Sequence, residues 1–278
     1  MESKKKVVLF RCPSQVDDDR DPYEKLLSSS ECCVSSIPVL EFDFQNLEDL
    51  SMAVTNVQDY SGIVFTSPRA VEAVQRVLPM ISAWDEVKTK WKERPAFAVG
   101  KTTCNQARDL GFTVTGEDTG NARNLSTFIL DSIHRGAKPL LYPCGNLKQD
   151  TLSKVMSENG QRLKEIVVYK TSQNSNLEDL ISEHLQKEGL PSYLVYFSPS
   201  GVRYTQDILH RHGVPLDHIQ VVAIGPSTEE ELKKHKISVY GTALKPTPES
   251  LYQVIFNPPS EDRGAVAHPE GNLIQHRS

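Results

Sequence analysis

Five turns of this 278-residue sequence put hydroxyl, glycine or amide residues where a strand gives way to a helix: Ser67, Thr103, Cys144-Gly145-Asn146, Ser198 with Ser200, and Thr228. A helix N-terminus presents unpaired N–H groups and a partial positive charge, so such turns suit anions. Plain N-capping explains any single one of them equally well. Their recurrence in two sets is what favours a ligand. Arg69, Lys101, Lys148 and Arg203 stand in or just after these turns. There they either meet carboxylates or cover solvated helix faces. Tyr169 closes the apolar run Ile166-Val167-Val168. A phenol keeps its proton at neutral pH, so Tyr169 either donates that proton or packs along a strand with its hydroxyl in water. Cys144 ends an apolar run and reads as a small buried thiol before it reads as a nucleophile.

Other chemistries lack their signatures. The sequence has no P-loop, no Gly-x-Gly-x-x-Gly, no Gly-x-Ser-x-Gly elbow and no His-Glu-x-x-His, and His210 and His212 fall on different sides of a helix. No cofactor and no metal is expected. The five cysteines, Cys12, Cys32, Cys33, Cys104 and Cys144, are scattered without paired spacing and read as reduced thiols. The 31 Lys and Arg against 36 Asp and Glu give a net charge of -5, which disfavours nucleic acid as a partner. Apolar runs such as Val7 to Phe10 are far shorter than the roughly 20 residues that span a bilayer. With no targeting segment read at the N-terminus, the expected address is the cytosol.

The elements that must carry these turns follow one grammar. With 38% hydrophobic residues, short apolar runs alternate with helical periodicity, the pattern of an α/β protein with parallel sheets. Gly62 to Phe65 reads as a strand and Pro68 to Leu78 as the following helix, with Ser67 as N-cap and Pro68 at N1. The unit recurs at Pro95 to Val99 with Thr103 to Leu110, and at Pro139 to Tyr142 with Leu147 to Glu158. Helix 177–187, strand 192–197, helix 201–211, strand 220–224 and helix 228–234 repeat it. A Ser-Pro turn precedes a Gly-x-x-Thr turn in both halves, 33 residues from Ser67 to Gly100 and 27 from Ser198 to Gly225. Two similar domains follow.

The strand Val7 to Phe10 has no counterpart near the first copy. If it pairs with the second, one domain (1–36 plus 172–257) is built from both chain ends and the other (37–171) is inserted. The β-prone segments 37–42 and 165–171 then form a two-stranded antiparallel linker. Residues 258–278 read as a disordered tail. In open parallel sheets ligands sit beyond the carboxyl ends of the strands, so two such domains aim their turns at one cleft.

The set Phe65-Thr66-Ser67-Pro68-Arg69-Ala70-Val71, Val99-Gly100-Lys101-Thr102-Thr103, Pro143-Cys144-Gly145-Asn146-Leu147-Lys148, Val168-Tyr169-Lys170-Thr171, Phe197-Ser198-Pro199-Ser200-Gly201 and Ala223-Ile224-Gly225-Pro226-Ser227-Thr228 resembles the uroporphyrinogen-III synthase family in its animal form. The resemblance spans roughly residues 6 to 256. It implies two flavodoxin-like domains and a cofactor-free lyase that closes the linear tetrapyrrole hydroxymethylbilane, losing water and inverting the last ring, for haem synthesis. It places family site positions on Thr103, Tyr169, Ser198 and Thr228, with Tyr169 as the acid that helps the hydroxyl leave. Ser67, Arg69, Gly145, Asn146, Lys148, Ser200 and Gly201 complete the expected substrate contacts. A monomer is expected, supplied by hydroxymethylbilane synthase. A two-lobed small-anion sensor, which does not need Tyr169, and a phosphosugar-handling enzyme, for which the turns lack a clear acid/base pair such as Glu-His, are the competing readings.

Overall fold

The computed structural model describes residues 4–12, 21–28, 32–134 and 136–257. The tail expected at 258–278 lies outside them. Among the described residues no helix is long and apolar enough to cross a membrane.

The chain divides into two compact units, residues 1–39 with 175–278, and residues 40–174. In chain order, β1 (Lys5–Phe10), α1 (Pro22–Ser28) and β2 (Cys32–Ile37) open the first unit. The second unit follows with β3 (Leu40–Phe44), α2 (Leu47–Thr55), β4 (Gly62–Phe65), α3 (Pro68–Val77), α4 (Trp84–Lys92), β5 (Pro95–Ala98) and α5 (Lys101–Asp109). It continues through β6 (Thr113–Thr115), α6 (Ala122–Ser132), β7 (Leu140–Gly145), α7 (Thr151–Glu158) and β8 (Leu163–Gln173). The chain then returns to the first unit for α8 (Leu177–Glu188), β9 (Tyr193–Tyr196), α9 (Pro199–Arg211), β10 (Gln220–Ile224), α10 (Pro226–Lys234), β11 (Gly241–Ala243) and α11 (Pro248–Phe256).

The first sheet runs β11-β10-β9-β1-β2 and all its pairings are parallel. Numbered along the unit's own chain, this is the 2-1-3-4-5 order of flavodoxin-like folds. Val7 pairs with Tyr193 and Phe10 with Tyr196, so the N-terminal strand joins the C-terminal copy. The second sheet runs β3-β8-β7-β4-β5-β6, parallel except for β3, which lies antiparallel on β8 from Leu40↔Gln173 to Phe44↔Tyr169. The segment expected as one strand at 37–42 is divided: Ile37 closes β2, and β3 starts at Leu40.

Aligning the units on their turns explains why β1 lacks a counterpart near Gly62. The Ser-Pro turn follows β4 and β9, and the Gly-x-x-Thr turn follows β5 and β10. The sheet orders then match β7 with β1 and β8 with β2. In the second unit that strand pair comes last in the chain instead of first, so the two copies are circular permutants of one another.

Both faces of a parallel sheet must be covered, and the central strands are buried as a result. β4, β7 and β9 are buried at every residue. In the second unit Ile63 and Phe65 face a core with Val74, Trp91 and Phe112. Val64, with Phe97 and Tyr142, faces the other, against Leu125 and Leu152.

Candidate functional site

In the second unit the chain winds in one direction from β4 through β5 to β6, and in the other from β7 to β8. The topological switch point therefore lies between the carboxyl ends of β4 and β7, where open α/β sheets hold their ligands. Ser67 follows β4, and Gly145 ends β7. A bulge after Cys144 shifts the β7–β8 register so that Gly145 is matched to Tyr169. The Tyr169 ring then crosses β7 and brings its hydroxyl to 2.9 Å from Ser67 Oγ. Gly145 makes the crossing possible: a Cβ there would stand 2.6 Å from Cε2 and Cζ and 2.8 Å from Oη of Tyr169. Phe44 lies directly across the β3–β8 ladder from Tyr169, with ring centroids 6.5 Å apart, and Phe42 lies at 6.2 Å. Tyr169 is half-buried and, like Phe44, packs against the core of its unit.

The residues around the phenol hold it more than they extend it. Asn146 donates its N–H to the Tyr169 carbonyl at 3.0 Å and accepts the Thr171 N–H on Oδ1 at 2.9 Å, clamping β8 on both sides of Lys170. Asn146 does not begin a helix, because α7 starts only at Thr151. Arg69 lies 4.4 Å from the Phe42 centroid and pairs with Glu72, which also holds Arg76 over Phe44. Partial burial opposes ionisation of Glu72, but hydrogen bonds from Arg76 and Arg69 hold its carboxyl below the usual range. Lys148 is paired with Glu165 at 3.1 Å and Asp150 at 3.3 Å. Arg69 and Lys148 are thus bound within the protein, as is Arg203 to Glu231 at 3.0 Å. Lys101 is exposed at the first position of α5 and has no ion pair among the described residues.

The paired turns fall into two kinds. Ser67 and Ser198 are extended N-caps whose hydroxyls accept the N–H of Ala70 at 3.2 Å and Gly201 at 3.3 Å. Ser200 Oγ lies 3.0 Å from Ser198 Oγ, and a Cβ on Gly201 would meet only ordinary contacts. Gly100 (φ 79°, ψ 152°) and Gly225 (φ 80°, ψ 156°) sit instead in a region that only glycine occupies without strain, and neither supplies a capping side chain. Among the described residues no side chain caps the first-turn N–H groups of α5 or α10. Thr103 and Thr228, both at the third helical position, are 3% and 1% exposed, and their hydroxyls have no hydrogen-bond partner among the described residues.

The family described as Uroporphyrinogen-III synthase HemD matches residues 21–253, a stretch that includes β3, β8 and all four paired turns. The chain belongs to the uroporphyrinogen-III synthase family. It is similar to the uroporphyrinogen-III synthase of Saccharomyces cerevisiae, 29% identical over 77% of this chain and 81% of the relative, and to that of Schizosaccharomyces pombe, 28% identical over 83% and 89%. Among solved structures, uroporphyrinogen-III synthetase from Helicobacter pylori shares the fold with a TM-score of 0.60 at 18% identity, covering 90% of this chain and 98% of that one. A mutant uroporphyrinogen III synthase from Thermus thermophilus gives 0.54 at 12% identity, covering 90% and 97%.

Within this synthase-family fold, one switch-point residue carries no signal in the sequence. Arg11, one residue past β1, makes a two-point pair with buried Asp21 at 3.1 Å and stacks on Tyr23 and Phe197. It fastens β1 to α1 in the first unit, at the position that corresponds to Cys144 in the second. The Cys144 thiol is buried, and burial, with Glu165 adding to it, pushes its pKa up to about 11. Alkylation of the folded protein at pH 8 is expected to label exposed Cys33 and to spare Cys104 and Cys144 until denaturant is added. Mass spectrometry of the labelled peptides checks this. Labelling of Cys144 at the rate of Cys33 would restore the nucleophile reading.

Proposed function

We propose that this chain is a uroporphyrinogen-III synthase that closes hydroxymethylbilane to uroporphyrinogen III, with loss of water and inversion of the last ring. The observation that carries the reading is the family match across both units. The Tyr169 hydroxyl at the switch point of the second unit, 2.9 Å from Ser67 Oγ, supports the proton-donor role proposed for it. The relatives are synthases, so a non-catalytic anion sensor is not favoured.

The substrate is a flexible polycarboxylate, and a protein of net charge -5 does not gather it by overall attraction. Local donors have to hold it. The uncapped first turns of α5 and α10, with Thr103 and Thr228 as hydroxyl donors, suit carboxylate arms, and unpaired Lys101 adds a charge beside the first of them. Ser198, Ser200, Gly201, Arg69, Gly145, Asn146 and Lys148 are proposed to border the bound substrate. For Arg69, Asn146 and Lys148 this is a shared role, since part of each polar side chain is already engaged within the protein. At about 1 kcal/mol for each neutral hydrogen bond, no single contact decides affinity.

The chemical task is to bend the chain so that its reacting carbons meet, and orientation of that kind is worth several powers of ten. Tyr169 protonates the departing hydroxyl, a general-acid contribution of about 10²- to 10⁴-fold. We further propose that the enzyme is of the animal type, works in the cytosol as a single chain and receives its substrate from hydroxymethylbilane synthase. Freshly generated hydroxymethylbilane, incubated with the protein and oxidised, is expected to give type III porphyrin. Type I porphyrin alone, at the rate of the uncatalysed control, would refute the assignment.

A further inference from the structure

The two capping serines are matched in backbone and differ in their second partner. Ser67 and Ser198 both accept an N–H from the first turn of the helix they cap. The hydroxyl of Ser198 then meets another serine, Ser200, whereas that of Ser67 meets the phenol of Tyr169. Capping alone therefore does not require a phenol beside the serine.

We propose that Ser67 is a positioning residue for Tyr169, donating its O–H to the phenol oxygen so that the phenol's own proton points at the substrate. The proposal rests on the acid role assigned to Tyr169. A serine hydroxyl has one proton and two acceptor sites. One acceptor site is taken by the Ala70 N–H, and a hydroxyl that accepts is a stronger donor. The phenol oxygen is the partner within reach. The ring has little freedom to choose another, because Gly145 lies beneath it and Phe44 stands across the ladder. Thr66 is not an alternative, since its hydroxyl is matched to Tyr142 at 3.1 Å.

In the reaction, the proton passes from Tyr169 Oη to the departing hydroxyl oxygen as the C–O bond breaks, and water leaves with the bonding pair. The phenolate keeps the Ser67 hydrogen bond, which strengthens as the charge develops. The proton released when the macrocycle closes restores the phenol. Ser67 keeps its own proton throughout and need not touch the substrate.

The test uses Ser67→Gly, since glycine serves nearly as well as serine at an N-cap, and Ser67→Thr, which keeps the hydroxyl. In protein labelled with ¹³Cζ-tyrosine, the Tyr169 signal is identified by its loss in Tyr169→Phe. Ser67→Gly is expected to move that signal and not that of Tyr142, and Ser67→Thr to restore it. In turnover, Ser67→Gly is expected to lower kcat about tenfold, as for one hydrogen bond, with KM within about twofold. It should cause no further loss in a Tyr169→Phe background. A raised KM at unchanged kcat, or an undiminished effect in that background, would make Ser67 a direct substrate contact and overturn the proposal. An unmoved ¹³Cζ signal beside an impaired Tyr169→Phe overturns the pairing alone. Normal turnover by Tyr169→Phe overturns the acid reading and the positioning role with it.

Discussion

Tyr169→Phe is expected to lower kcat by about 10²- to 10⁴-fold while KM and the fold are preserved. The ring and its hydroxyl have separate partners. The ring is held by Phe44, Phe42 and the bare backbone of Gly145, and phenylalanine keeps all of those contacts. What disappears is the donor and its hydrogen bond to Ser67, a stability loss of about 1 kcal/mol. Single-turnover kinetics with enzyme in excess, alongside a thermal melt, measure both halves of the expectation. Wild-type turnover from a folded variant would remove the phenol from the reaction.

Gly145→Ala is expected to be nearly as damaging, although position 145 carries no reacting group. Tyr169 is on β8 and Ser67 follows β4, with β7 between them, so the ring must cross a neighbouring strand, and strands lie about 4.8 Å apart. The methyl of alanine would stand 2.6 Å from the ring carbons, closer than side chains pack, so ring or backbone must shift. Either shift separates Oη from Ser67. Forced overpacking of this kind costs about 1–3 kcal/mol, and the misplaced acid should cost on the order of 10²-fold in kcat. Measuring kcat with the melting temperature distinguishes a displaced phenol from an unfolded unit. Full activity in a well-folded Gly145→Ala would show that the ring need not cross β7.

Much of the architecture was legible because strand burial and helix periodicity leave direct marks on residue order. β10 matches the expected strand at both ends, and the Ser67 cap with proline at N1 marks where α3 begins. α9, expected from residue 201, begins two residues earlier at Pro199 because Ser198 caps it in the same way. The duplication set Val7–Phe10 apart from the first copy, and the ladder from β1 to β9 joins it to the second. Its counterpart in the first copy, β7, was not legible, because a circular permutation keeps spatial order while breaking sequence order. The helix expected from Leu147 begins four residues later, since Asn146 and Lys148 are engaged with β8 and Glu165.

At the site, residue type indicated which groups can donate but not which are already bound to the protein. Arg69 and Lys148 have the right charge, yet their partners Glu72 and Glu165 come from residues whose proximity depends on helix phase and strand register. Gly145 reads from the sequence as part of a turn; its contact with Tyr169 depends on a one-residue bulge, which no local pattern announces. The difference between Ser-capped and Gly-started turns was visible in composition. Its consequence, first turns at Thr103 and Thr228 without a capping side chain, depends on the backbone angles of Gly100 and Gly225.

In the proposed reaction, holding the bilane in its bent form is separate from protonating its leaving group. The most direct measurement is the isomer formed by Tyr169→Phe with enzyme in excess over hydroxymethylbilane. A slow reaction that still delivers type III porphyrin is the predicted result. Type I porphyrin at the uncatalysed rate, from a variant that remains folded, would contradict it.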